Sequence, residues 1–299
     1  MSELTQIVKG TSATVTVTFE VNGVGTNLDA GVPVVTLTKP DGTAGPASGT
    51  VTSLGSGAYS FVVAAQAQVT WLDYAAVGTI GGQPQTLTGR IEWLGDALFN
   101  IKAFRDMRVA NGTPFASSGV SPIFSTAQIM DTRTAVLQEI QDILGFSPVP
   151  RFTRETLDGN GSPCLFLPGL KATRILSVTI NGVAQTATNY QVGASNTIEA
   201  VTGYGYGTPF TRGRRNVTIE WVHGWERVQG IGGDIAMIWA AARLNPSGFS
   251  SATQVSMPDG SSYTYEPSEV GLGGFRRPTG IRQADRWFDL HAAGSVLAR

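Results

Sequence analysis

Along residues 11–20, TSATVTVTFE, apolar and polar positions alternate without a break: Ala13, Val15, Val17 and Phe19 against Thr14, Thr16 and Thr18. A period of two marks a strand with one buried face. Val35 and Leu37 repeat the pattern, and Lys39-Pro40-Asp41-Gly42 then reads as a tight turn. Tyr59, Phe61 and Val63 follow Gly57, and further strands are predicted around Tyr74–Ile80 and Leu87–Leu94. Short alternating runs separated by turn residues predict a β-sandwich over residues 1–96.

The period changes after Ala97. Leu98, Ile101 and Phe104 recur every three residues and predict a short helix, and Asn111-Gly112-Thr113-Pro114 with 117–122 reads as a polar linker, making 97–124 a connecting segment. Ser125 and Gln128 have capping-box spacing, so a helix is expected from Thr126. Ile129, Val136, Ile140, Ile143 and Leu144 share one stripe, widened by Met130 and Leu137, and Gly145 supplies the stop. Such a stripe must pack against its own domain or a neighbouring subunit.

Residues 151–222 read as strands and turns. Asp158-Gly159-Asn160-Gly161 is expected to turn the chain between Phe152–Leu157 and Cys164–Leu167, and Asn181-Gly182 is a two-residue hairpin signal. Tyr204–Gly207 and Arg212–Arg215 are expected to be exposed loop. An Ala-rich helix is predicted over Asp234–Leu244, with Asp234 favourable at its N-terminal end. Residues 247–299 are expected to be an extended C-terminal segment, mobile at Ser247–Thr253 and Gly271–Gly274. It holds a short strand at Tyr263–Tyr265 and a terminal helix over Gly280–Ala293.

The 299 residues are enough for about two domains. Charged residues are 14% of the chain, well under the usual ~25%, and Gly is abundant at 37, which fits β-rich structure with many turns. Net charge is −1, so no global field draws the chain to nucleic acid or an acidic membrane. Residues 1–97 carry 3 Lys/Arg against 7 Asp/Glu, while the remainder is net basic, which points to two modules with different surfaces. One cysteine, Cys164, excludes an intramolecular disulfide, and only His223 and His291 are available as imidazole ligands. The N-terminus lacks the apolar core of a signal peptide, and no run reaches the ~20 apolar residues that span a bilayer. Assembly in a cytoplasm, with no membrane partner, is the expectation.

Candidate chemistry is sparse. Gly203–Gly207 and Gly230–Gly233 lack Walker spacing and a following Lys. Asp158, Asn160 and Glu155 fall short of a calcium loop and read better as a hairpin turn. His223, beside Trp221 and Trp225, has no nucleophile or orienting acid in a recognisable motif. No catalytic residue, metal ligand or cofactor is therefore predicted. Arg212, Arg214 and Arg215 form the densest basic run, facing DNA phosphates, an acidic partner or only solvent at a subunit rim. Arg276, Arg277, Arg282 and Arg286 lie near Trp287 and Phe288. Arg and Trp are over-represented at interface hot spots, so these six are the candidate docking residues, the alternative being an ordinary core stripe.

In order, the chain carries the Arg133-centred helix, Gly145-Phe146 with Pro150-Arg151, and the 157–161 turn. There follow Ile175–Val178 with Asn181-Gly182, Tyr190-Gln191-Val192, and Val222-His223-Gly224-Trp225 before the Ala-rich helix. Over roughly residues 96–244 this order resembles the head-to-tail connector (adaptor, or head completion) proteins of long-tailed double-stranded DNA phages. The N-terminal module resembles the immunoglobulin-like domains appended to phage virion proteins.

The resemblance implies an α+β multidomain chain. An immunoglobulin-like sandwich is followed by a helical adaptor domain with inserted β-hairpins at 125–246 and a portal-docking C-terminal segment at 247–299. It further implies a structural, non-enzymatic protein of the virion neck. Its partners would be the portal, a stopper or tail terminator, and copies of itself in a dodecameric ring that passes duplex DNA with few tight phosphate contacts. Deleting Gly271–Arg299 is expected to abolish portal docking and leave both domains folded. The competing expectation is a carbohydrate- or ligand-binding virion module, with Trp71, Tyr74 and Trp93 stacking on sugars. An enzyme, such as a hydrolase using Asp and Glu pairs, ranks last because no spacing supports it.

Overall fold

The computed structural model describes residues 3–109, 117–118, 121–168, 171–193, 196–201, 208–226, 232–244, 254–257, 262–264 and 282–291. The fold is a β-rich α+β arrangement in two compact units. One comprises residues 1–96, 150–166 and 172–222, and the other 97–149, 167–171 and 223–299. A unit boundary falls between Asp96 and Ala97, but 125–246 is not one module and is divided between the two units. Strands beyond residue 150 return to the first unit, while the helices on either side of them in sequence belong to the second.

In the first unit, nine strands form the N-terminal part: β1 (Glu3–Val8), β2 (Ala13–Thr18), β3 (Glu20–Val21), β4 (Val24–Gly25), β5 (Val34–Thr38), β6 (Thr52–Gly55), β7 (Ala58–Val63), β8 (Thr70–Ile80) and β9 (Gln83–Leu94). One sheet has the order β1-β9-β8-β5 and another β2-β7-β6, with β3 and β4 a separate hairpin. β1 runs parallel to β9, while the β8–β9 and β2–β7 pairs are antiparallel. The alternation read from sequence holds: Ala13, Val15 and Val17 face inward with Tyr59, Phe61 and Val63. Across the core, Leu72, Tyr74 and Ala76 from β8 and Ile91 and Trp93 from β9 are buried, with Phe61 edge-on to Tyr74.

Three two-residue strands, β10 (Arg108–Val109), β11 (Ser117–Ser118) and β12 (Ser121–Pro122), fall in the second unit. The first unit resumes with β13 (Arg151–Gly159), β14 (Cys164–Phe166), β15 (Ala172–Ile180), β16 (Val183–Gln185), β17 (Tyr190–Gly193), β18 (Thr197–Ala200) and β19 (Gly213–His223), whose last residue falls to the second unit. They make a sheet of order β13-β19-β15-β16 and another of order β14-β18-β17. Asn181 and Gly182 adopt φ of 52° and 78°, the left-handed pair of a tight hairpin joining β15 and β16. The expected hairpin at Asp158–Gly161 is corrected. β13 pairs with β19, where Arg154 meets Glu220 and Thr156 meets Thr218, while β14 pairs with β18 in the other sheet. The turn residues change direction there without pairing the strands they join.

The second unit holds α1 (Ile101–Asp106), α2 (Thr126–Leu144), α3 (Gly232–Leu244) and α4 (Arg282–His291). The predicted 97–108 helix is shorter, starting at the Asn100 cap and stopping before Arg108, which lies in β10. At α2 the Ser125–Gln128 capping box is complete, and Gly145 caps the end at φ 75°. The α2 stripe (Ile129, Val136, Leu137, Ile140, Leu144) is buried within this unit, and α2 lies alongside α3. The stripe packs against its own unit, the first of the two expectations for it. The predicted short strand is found as β21 (Ser262–Thr264), pairing with β20 (Gln254–Ser256), which in turn pairs with β10.

Candidate functional sites

Arg212, Arg214 and Arg215 stand exposed at one end of the β13–β19 sheet. The expectation of a loop is corrected for two of them: Arg214 and Arg215 open strand β19, and Arg212 precedes it. What holds this tip is Asn216. Its side-chain amide donates to Asn181 Oδ1 at 3.0 Å and to the Thr211 carbonyl at 2.8 Å, its Oδ1 accepts from the Gly159 amide at 2.9 Å, and its carbonyl accepts from the Asn181 amide at 2.7 Å. Three segments, 158–161, 181–182 and 211–213, are thereby tied to one residue. A Cβ on Gly159 would meet the Thr211 carbonyl oxygen at 1.9 Å, so only glycine allows so close an approach. Arg215 has φ 47°, a left-handed conformation unusual for arginine, and its amide donates to Asp158 Oδ1 at 2.6 Å.

The docking residues separate. Arg276 and Arg277 lie outside the described residues, as do Tyr204–Gly207, Ser247–Thr253 and Gly271–Gly274. Arg282 is the first residue of α4, and Arg286 is exposed. Trp287 and Phe288 are 7% and 2% exposed, and they correct the expectation of a docking surface. The Trp287 ring lies 5.5 Å from Trp225, 5.0 Å from Phe288 and 4.8 Å from His291, while Phe288 meets Trp239 of α3 at 6.0 Å. They are core. Removing residues 271–299 would strip this cluster, so the truncated chain is not expected to keep its second unit folded.

The Val222-His223-Gly224-Trp225 stretch is structural as well. Gly224 has φ 100°, and a Cβ there would sit 2.4 Å from the Val149 carbonyl oxygen and 2.8 Å from that of Ser147. Its amide donates to the Lys171 carbonyl, and the Trp225 amide donates to that of Ser147. Trp225 then packs edge-on to Phe146 at 5.1 Å. Gly224→Ala combines left-handed strain with a clash against backbone, and is expected to lower stability by about 2–3 kcal/mol, read as a reduced urea midpoint. An unchanged midpoint would contradict this packing.

The sugar-stacking residues are also corrected. Trp93 and Tyr74 belong to the sandwich core, and the face of Trp71 is covered by the Arg90 guanidinium, 3.7 Å from its ring centre. A groove of about 710 Å³ runs over the outer side of the β1-β9-β8-β5 sheet, lined by Thr38, Asp73, Thr88, Arg90 and Arg151 among others. Its arginines are already engaged. Arg90 grips Asp73 at 2.7 and 3.1 Å, and Arg151 grips Glu92 at 2.7 and 2.8 Å. Glu92 also accepts from Gln6 Nε2 at 2.7 Å, forming a buried network that no local sequence signal announces. Burial pushes the Glu155 carboxyl upward in pKa, and among the described residues it has no hydrogen-bond or ion-pair partner. Among the described residues no group of three or more His, Cys, Asp or Glu is placed to hold a metal ion, and no helix is long and apolar enough to cross a membrane.

No family model matches the chain, and no curated protein matches it. Among solved structures, the neck of an empty GTA particle computed with C6 symmetry aligns with 48% of this chain and 76% of its own at 18% identity, with a TM-score of 0.36. A DUF4785 family protein from Legionella pneumophila aligns with 75% of this chain at 9% identity and a TM-score of 0.22. In that case the chain spans 42% of the other's length. At such scores neither likeness bears on fold or function.

Proposed function

We propose that this chain is a structural protein of the neck of a phage-like particle. In this reading it is a head-to-tail adaptor that forms a ring between the portal and the stopper or tail, and continues the DNA channel. The observation that carries the proposal is the order of elements: capped helix, strand-rich insertion ending in Val222-His223-Gly224-Trp225, then Ala-rich helix. Three of the motifs that carry the resemblance have a defined structural job here. The capping box starts α2, Asn181-Gly182 turns β15 into β16, and Gly224 lets the backbones of 147–149 and 224 meet.

A ring needs heterologous contacts that close on rotation. With the α2 stripe spent internally, the free strand edges of the first unit are the better source. Phe166 on edge strand β14 and Val183 on edge strand β16 are each 62% exposed. Unpaired edges of this kind are ready templates for another chain. The protein acts as a scaffold and not as an enzyme. Its neighbours are the portal, a stopper or tail terminator, and its own copies, and the virion is its location. Co-elution of the full chain with portal rings of its own particle in size-exclusion chromatography tests the reading. Separate elution at micromolar concentrations would count against it.

A further inference from the structure

We infer that the tip bearing Arg212, Arg214 and Arg215 is a contact site for the phosphodiester backbone of double-stranded DNA, independent of base sequence. Three arginines fall within four positions of a chain whose net charge is −1. All three are exposed, and among the described residues none of their guanidinium groups has a hydrogen-bond or ion-pair partner. The acidic residue in the network, Asp158, accepts from the Arg215 backbone amide, so the guanidinium groups stay free to act outward. This contrasts with Arg90, Arg151 and Arg154 of the same unit, each of which is committed to a carboxylate.

Rigidity adds a second argument. The Asn216 hub ties together the three segments that meet at the tip, so little backbone ordering is needed on binding. An exposed cluster of three unpaired guanidinium groups is complementary to a dense polyanion, and B-DNA carries one phosphate per about 3.4 Å of axis on each strand. Guanidinium forks also match phosphate oxygens in geometry, which a lysine would not do.

The inference stands whether or not the neck reading does, because its test uses the isolated full chain and no portal. Binding to a fluorescent 30-base-pair duplex of arbitrary sequence is followed by anisotropy between 50 and 200 mM salt. With three phosphates engaged, log K should fall against log salt with a slope of about −2.7, roughly a 40-fold loss over that range. R212Q/R214Q/R215N should lose most of the binding and flatten the slope by about 2 or more; asparagine tolerates the left-handed backbone at 215. R212K/R214K/R215K should retain binding in part, and circular dichroism melts of both variants should match the parent. No duplex binding by the parent would overturn the inference. So would an unchanged slope in the neutral variant, or equal competition by an oligoglutamate peptide of the same charge.

Discussion

Trp287→Ala is expected to destabilise the second unit by about 3–5 kcal/mol, the range for truncating a large buried aromatic side chain. The ring is 7% exposed and touches Trp225, Phe288 and His291, so alanine would leave a cavity where three aromatic groups now meet. His291 would also lose the ring it stacks on, although its Nδ1 contact to the Trp287 carbonyl is with backbone and survives the substitution. Leu290→Ala on the same helix is the control. Its side chain is exposed, and the change should stay within about 0.5 kcal/mol. Urea unfolding of the two variants separates the possible roles of α4. A docking residue would leave the free chain's stability untouched, and a Trp287→Ala midpoint equal to the parent's would refute the core assignment.

Glu92→Ala should cost the first unit a similar amount, about 3–5 kcal/mol, because it leaves the Arg151 guanidinium buried without its counter-charge. The carboxylate is 4% exposed and its partner 17%, and Gln6 donates to the same oxygen that the Arg151 Nη2 group reaches. The physical point lies in the double variant. Glu92→Leu with Arg151→Met removes both charges and should regain most of the loss, since a buried pair is weak evidence of net stabilisation even though breaking it is expensive. Thermal unfolding of the single and double variants decides the matter. Equal destabilisation by both would mean that shape, and not the unpaired charge, dominates. The pair also explains why the β13 segment groups with the sandwich although 59 residues separate Arg151 from Glu92.

Much of the local structure was legible in the chain. Alternation gave β2, β7 and the ends of β8 and β9, because a sheet with one buried face forces a period of two. The bounds of α2 could be read to the residue, because Ser125, Gln128 and Gly145 act on their own neighbours. Asn181-Gly182 worked for the same reason. Where partners are distant, the sequence was silent. Asp158-Gly159-Asn160-Gly161 has the composition of a hairpin turn, yet β13 finds β19 more than fifty residues later, and turn chemistry does not say which strands pair.

The candidate sites failed or held on the same distinction. An amphipathic helix bearing Arg286 and Trp287 looks alike whether its aromatic face meets its own protein or another, and here Trp225 and Trp239 of the same unit take it. Trp71, Tyr74 and Trp93 suggested a sugar platform, but strand parity puts Tyr74 and Trp93 inside, and Trp71 is capped by Arg90. Parity alone could have withdrawn Tyr74 and Trp93. Arg212, Arg214 and Arg215 lie on the surface, where three charges in four residues avoid the cost of burial. The Asn216 hub beneath them could not be foreseen, since its partners at 159, 181 and 211 meet only in the fold.

The most direct test of the neck assignment is negative-stain electron microscopy of the purified full chain mixed with portal rings from its own particle. The account predicts a ring of this protein stacked coaxially on the portal, with the central channel continuous through both. Dispersed single molecules beside bare portals, at concentrations where portal rings are intact, would contradict it.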